Sequence, residues 1–130
     1  MVKVSILEDK GIYPELFKAT FGKECKDIPE VVRVAKTKDN VIVGFLSGHW
    51  ELNATFYIEY AGVLPEFRNK GWLRYMKLML ESYVNYLTAV ENTNVVTGKA
   101  LYSLGFIPVG SRYHDNTFYL EWVRRGIKNG

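Results

Sequence analysis

At 130 residues the chain is shorter than a usual domain of about 150, so one domain spanning 1–130 is expected. Its 48% hydrophobic, 15% aromatic and 24% charged residues exclude the low-hydrophobicity, high-charge composition of disordered chains. Seventeen basic against fourteen acidic residues leave only +3, too little to coat a polyanion without clustering, and the single cysteine, Cys25, excludes an internal disulfide.

The opening MVKVSILEDK has no apolar stretch behind basic residues, and no run approaches the roughly 18 apolar residues of a membrane span. A cytoplasmic chain with neither membrane nor nucleic acid as partner is the expectation. Residues 2–7 alternate as a first strand. Pro14 at a first helical turn, followed by Leu16, Phe17 and Phe21, predicts a short helix ended by Gly22. Val31 to Thr37 reads as a second strand. After a turn at Lys38, Asp39 and Asn40, VIVGFLSGHWEL and TFYIEYAGVL form a β-hairpin across Asn53 and Ala54.

Pro65 and the polar residues Glu66 to Lys70 stop that strand. GWLRYMKLMLESYVNYL then carries Trp72, Met76, Met79, Leu80, Tyr83 and Leu87 at helical spacing, which predicts one long helix over 71–87. LTAVE, 87–91, reads as a short buried strand. Thr93 or Asn94 caps a helix with Thr97, Ala100, Leu101 and Leu104 on one face, closed by Gly105. FIPVGSRYH and TFYLEWV complete a second hairpin turning at Asp115 and Asn116. The C-terminal strand is apolar on both faces, so it is either central in a sheet or covered by a partner, and a homodimer is expected. The order of elements gives a mixed α/β (α+β) fold, antiparallel pairs first and a strand–helix–strand crossover after them.

The chemistry concentrates in VLPEFRNKGWL, Val63 to Leu73, where a strand ends in a basic, glycine-containing loop running into a helix. A helix start presents unpaired N–H groups and about half a positive charge, and Gly71 admits a phosphate close to the backbone. Arg68, Lys70, Arg74 and Lys77 add positive charge. From these features alone an anion site and a solvated loop remain equally open.

The segment resembles the pyrophosphate loop of the GCN5-related N-acetyltransferase (GNAT) superfamily, which reads Gln or Arg, two residues, Gly, one residue, Gly or Ala. Arg68, Asn69, Lys70 and Gly71 match, and Leu73 departs from the small final residue. VIVGFLSG resembles the family's central hairpin strand; Gly98, Ala100, Leu101, Tyr102, Leu104, Gly105 and Phe106 resemble its later helix motif. The likeness covers about 31 to 124. It implies a mostly antiparallel sheet flanked by helices, with a parallel pair, Phe56 to Leu64 and Leu87 to Glu91, splayed around acetyl-CoA as acyl donor. It further implies pantetheine pairing at Val63 and Leu64, pyrophosphate binding at Arg68, Asn69, Lys70, Gly71, Trp72 and Leu73, and transfer to an amine acceptor.

By the same resemblance Tyr102 stands where a tyrosine protonates the departing thiolate, with a solvated helix tyrosine as the alternative. The family's helix-start Asn is displaced to Asn92 or Asn94, and Asn94 either bonds the pantetheine amide or caps the helix. Glu59, in the apolar run FYIEYAGV, is the first candidate for general base, against an outward-facing strand glutamate. Glu51, His49 and His114 are weaker options. Cys25 reads as a spectator, Trp72, Met76 and Met79 as core or interface, and Arg124, Arg125 and Lys128 as a solvated tail. No two Cys or His lie at ligand spacing, so no metal is expected. Leu73, the shifted Asn and the unplaced base keep a second reading open, a non-catalytic CoA-binding or interaction module.

Overall fold

The structure, a computed structural model, describes residues 3–68 and 71–127. In chain order the elements are β1 (Val4–Glu8), α1 (Tyr13–Phe21), β2 (Val31–Thr37), β3 (Ile42–Glu51), β4 (Thr55–Val63), α2 (Pro65–Arg68), α3 (Trp72–Met79), β5 (Asn85–Glu91), α4 (Val95–Ser103), β6 (Ile107–His114) and β7 (Thr117–Arg124). The strands form one mixed, mostly antiparallel seven-stranded sheet in the order β1-β2-β3-β4-β5-β7-β6. β4 and β5 are its parallel pair. Contacts group the chain into two compact units, 1–49 with 59–80 and 50–58 with 81–130.

In the first unit Tyr13, Leu16, Phe17 and Thr20 recur at 3- and 4-residue steps and are all buried, so α1 presents one apolar stripe. Pro14 sits in its first turn, and Gly22, at φ 73°, donates its N–H to the Lys18 carbonyl and ends it, as the sequence predicts. That stripe meets Val32, Val34 and Phe45 in a single apolar cluster. Two glycines set the spacing. A Cβ on Gly44 would lie 2.4 Å from the Gly62 carbonyl oxygen and 3.0 Å from the Met79 sulfur, and a Cβ on Gly62 would lie 2.4 Å from Thr20 Cγ2.

In the second unit the parallel ladder joins Thr55–Ile58 to Asn85–Thr88. The buried Thr88 hydroxyl donates to the Ile58 carbonyl at 2.9 Å. β7 lies between β5 and β6, so its two apolar faces belong to a central strand, the first of the two alternatives. The β6–β7 turn has Asp115 at φ 48° and Asn116 at φ 61°, the paired left-handed residues of a two-residue hairpin. α4 ends in a Schellman arrangement: Gly105, at φ 94°, donates to the Tyr102 carbonyl and Phe106 to that of Leu101.

The structure corrects the long helix predicted over 71–87. α3 stops at Met79, Leu80 is extended at ψ 112°, and Asn85, Tyr86 and Leu87 already belong to β5. Buried Val84, Tyr86 and Thr88 alternate with period two, whereas Tyr83 is 64% exposed. Polar bonds favour the extended path: the Tyr86 hydroxyl accepts the Glu81 N–H nearby, and over long range the Asn85 side chain donates to the Asn53 carbonyl and accepts from the Gly126 N–H. Of the residues assigned to core or interface, Met76 and Met79 are buried and Trp72 is half-exposed. The strand stop after Pro65, a loop by its composition, contains a four-residue helix, α2.

Gly44→Ala is expected to lower stability by about 1–3 kcal/mol, because the obstructing atom is a strand carbonyl that cannot rotate aside. The midpoint of urea unfolding, compared with that of the parent, measures it.

Candidate active site

The end of β4 is fixed from two sides. Val63 and Leu64 are buried, and Leu64 donates its N–H to the Val43 carbonyl at 2.9 Å. Arg68, at the end of α2, turns back on this exit: Nε donates to the Val63 carbonyl at 3.0 Å and Nη2 to the Thr20 carbonyl at 2.7 Å. Its guanidinium therefore ties β4 to the last turn of α1.

Gly71 caps α3 at φ 87°, a conformation that costs a Cβ-bearing residue about 1 kcal/mol or more. Among the described residues, a Cβ there would meet Arg74 Cβ at 3.9 Å and nothing nearer. No side chain caps this helix, and the Gly71 carbonyl accepts the Arg74 N–H. The first turn, with half-exposed Trp72 and Leu73, carries the unpaired backbone N–H groups of a helix start. Asn69 and Lys70, the two middle residues of the loop motif, lie outside the described residues.

Farther back along the same strands, His49 of β3 and Glu59 of β4 meet. His49 Nδ1 is 3.1 Å from Glu59 Oε1, with side chains 34% and 38% exposed. Sequence reasoning weighed these two separately as bases, and the fold brings them into one hydrogen bond. It also reveals a polar chain that sequence reasoning missed: the Tyr13 hydroxyl bonds Ser47 Oγ at 3.3 Å, and Ser47 donates to the Tyr60 carbonyl at 3.3 Å. A fully buried serine within an apolar strand run was the available signal. Burial pushes the Tyr13 phenol above its ordinary 10.0, partly offset by the Ser47 bond, with Cys25, Tyr60 and Glu59 adding smaller upward pushes.

In the second unit Asn94 caps α4, its side-chain oxygen accepting the Thr97 N–H at 3.2 Å, so the capping alternative is realised. Tyr102 projects from α4 at 70% exposure. It lines a cavity of about 610 Å³ whose walls include Val90, Leu120 and Trp122, and whose rim carries Asn92, Asn94 and Lys99. Glu51 ends β3. His114, the last residue of β6 beside the Asp115–Asn116 turn, lies 3.2 Å from Asp115, both side chains exposed. Arg124 lies in β7 with its side chain over Gly105, Arg125 follows the strand, and Lys128 is outside the described residues. Cys25 is a free thiol packed beside the α1 cluster. Among the described residues no group of three or more His, Cys, Asp or Glu could hold a metal, and no helix is long and apolar enough to cross a membrane.

No family model and no curated protein sequence matches the chain. Solved structures do. The ribosomal-protein-S18-alanine N-acetyltransferase from Escherichia coli superposes with a TM-score of 0.65 at 12% identity, covering 100% of this chain and 97% of that one. The IAA acetyltransferase from Bacillus cereus gives 0.58 at 14% identity, covering 94% and 99%. Spermidine/spermine N-acetyltransferase from Vibrio cholerae gives 0.61 at 11%, covering 93% and 91%. The chain has the fold of the GCN5-related N-acetyltransferases.

Two measurements test this geometry. Arg68→Lys is expected to lower the melting temperature by several degrees, because one ammonium cannot span two carbonyls as a guanidinium does. Because the folded-state pKa of Tyr13 is raised, its contribution is complete below pH 10.0 and is lost as pH climbs through the folded value. Urea unfolding of Tyr13→Phe above pH 10 is therefore expected to show a shallower loss of stability than the parent.

Proposed function

We propose that the protein is an acetyl-CoA-dependent N-acetyltransferase acting on an amine. The observation that carries the reading is Gly71, held at φ 87° at the start of α3, which follows β4 and the short helix α2, within the fold of known N-acetyltransferases. The residues suit the donor's pyrophosphate: bare backbone at Gly71, nothing nearer than 3.9 Å to a Cβ there among the described residues, and α3 donors behind it. Gly71, Trp72 and Leu73 would hold the phosphates through backbone N–H groups, with Asn69 and Lys70 completing the loop. Arg68 would serve by fixing the strand exit, since two of its donors already hold carbonyls. The pantetheine arm would lie beside Val63 and Leu64, where the Val63 carbonyl is held by Arg68 and the Leu64 N–H by the Val43 carbonyl.

In this mechanism the acceptor amine attacks the thioester directly, so no covalent enzyme intermediate is required. Backbone N–H groups near Val63 polarise the carbonyl. The Glu59–His49 pair receives the amine proton, and Tyr102 gives its own to the departing sulfur. Neighbours of this fold are named for a polyamine, a ribosomal-protein alanine and IAA, and the chemistry common to the first two is a primary amine. A non-catalytic CoA-binding module keeps one observation in its favour, Leu73 in place of the motif's small residue.

Calorimetric titration is expected to show acetyl-CoA binding, and none at millimolar ligand refutes the reading. Gly71→Asp should abolish binding, since it places a carboxylate where phosphate belongs. Tyr102→Phe should keep affinity within about threefold while kcat falls roughly ten- to a hundredfold, a loss confined to the transition state. Unchanged kcat removes Tyr102 from the mechanism.

A further inference from the structure

The cavity beside Tyr102 is larger than an acetyl group needs. We infer that it holds the acyl chain of the donor, so that the enzyme accepts straight-chain acyl-CoA thioesters longer than acetyl. This rests on the acetyltransferase reading, in which Tyr102 serves the departing sulfur, and deepens it by naming the class of donor.

The floor of the cavity follows from strand register. Val90 of β5 faces Leu120 of β7, and Trp122, two positions farther along β7, faces Pro108 of β6. Side chains two apart on a strand share a face, so these residues make one continuous apolar patch beneath α4. The opposite wall is one face of α4, where Val95, Gly98 and Tyr102 follow at steps of three and four and span about two turns, or roughly 10 Å.

Gly98 sets the depth. A glycine inside a helix weakens it, and here the gain is spatial: a Cβ at this position would lie 3.3 Å from Trp122 Cζ2. A longer side chain would project between α4 and β7, into the space the acyl chain is to occupy.

The cavity encloses about 610 Å³, the size of a small-molecule site. The acyl carbon is bonded to the sulfur, so the donor itself brings a chain to the Tyr102 end. Among the described residues the charged members of the lining, Glu91 and Lys99, are exposed and of opposite sign, which favours neither an ammonium nor a carboxylate. An uncharged methylene chain needs only the apolar floor, and each methylene fully buried is worth roughly fourfold in affinity. An amine acceptor, which arrives as an ammonium, gains nothing comparable from these walls.

Chain length leaves the balance of the reaction unchanged. The amine nitrogen bonds the acyl carbon, the C–S bond breaks with its electron pair on sulfur, and sulfur takes the Tyr102 proton. The amine's proton passes to the Glu59–His49 pair and on to water, and water returns one to Tyr102. The products are an amide and free CoA.

The test titrates the full chain calorimetrically with CoA and its acetyl, butyryl, hexanoyl and octanoyl thioesters. Affinity is expected to rise about tenfold or more from acetyl- to octanoyl-CoA, less than full burial would give because exposed Val95 and Tyr102 leave the cavity partly open. Gly98→Leu fills the cavity and Leu120→Asn makes its floor polar; in each, the octanoyl advantage is expected to shrink to within about threefold. Leu120 is half-exposed, so the second variant carries the test if melting curves show the first misfolded. In ¹⁵N spectra the Trp122 indole N–H should shift with octanoyl-CoA and not with acetyl-CoA. A flat chain-length profile in the parent, an advantage that persists in both variants, or an indole shift with n-octylamine in place of octanoyl-CoA each overturns the inference and leaves the acetyltransferase reading standing. Failure of CoA and every thioester to bind overturns that reading itself.

Discussion

The first unit depends on the absence of two Cβ atoms. At Gly44 the nearest obstruction to a side chain is the Gly62 carbonyl oxygen, and at Gly62 it is a methyl group of Thr20. Bare backbone at these positions lets Met79 of α3 close on β3 and the last turn of α1 close on β4. Steric exclusion of this kind is stiff, since interiors pack at crystal-like density and cannot absorb even one methyl group without displacement. The course of β4 toward Val63 and Leu64 is therefore decided by packing before any polar contact is made.

Polar groups then refine what packing allows. Arg68 takes the Val63 and Thr20 carbonyls, so one guanidinium satisfies acceptors from β4 and α1 and holds the strand exit ahead of α3. Tyr13, Ser47 and the Tyr60 carbonyl form a second chain inside the apolar cluster. Buried polar atoms are costly when orphaned, so each such chain selects one register among several of similar apolar content. In the second unit Thr88 does this for the parallel ladder by donating to the Ile58 carbonyl.

The proposed chemistry draws on the ends and edges of each unit. Gly71 is exposed at a helix start, Tyr102 stands out from α4, and His49 with Glu59 is partly open to solvent. In the proposal the groups that meet a substrate stay exposed, and Ser47 behind His49 is buried. The serine two residues from His49 and the arginine behind Gly71 touch no substrate in the proposed mechanism, and the placement of the reacting groups rests on them.

Elements with local signals are legible in the residues alone: the Pro14 to Gly22 helix, the Asp115–Asn116 hairpin, a cap at Thr93 or Asn94, the Gly105 stop and the glycine at the start of α3. Each is a matter of backbone dihedrals or of bonds spanning a few residues, and the residue types alone carry that information. What the tertiary structure decided was long-range. Residues 80–87 carry a helical spacing of apolar side chains, yet they leave the helix because the partners of Asn85, at Asn53 and Gly126, lie 32 and 41 positions away. The joining of His49 to Glu59 and the turning of Arg68 onto carbonyls have the same origin. Helical periodicity reports only which side chains share a face; whether a backbone pairs with itself or with a distant strand depends on groups that the local pattern does not contain.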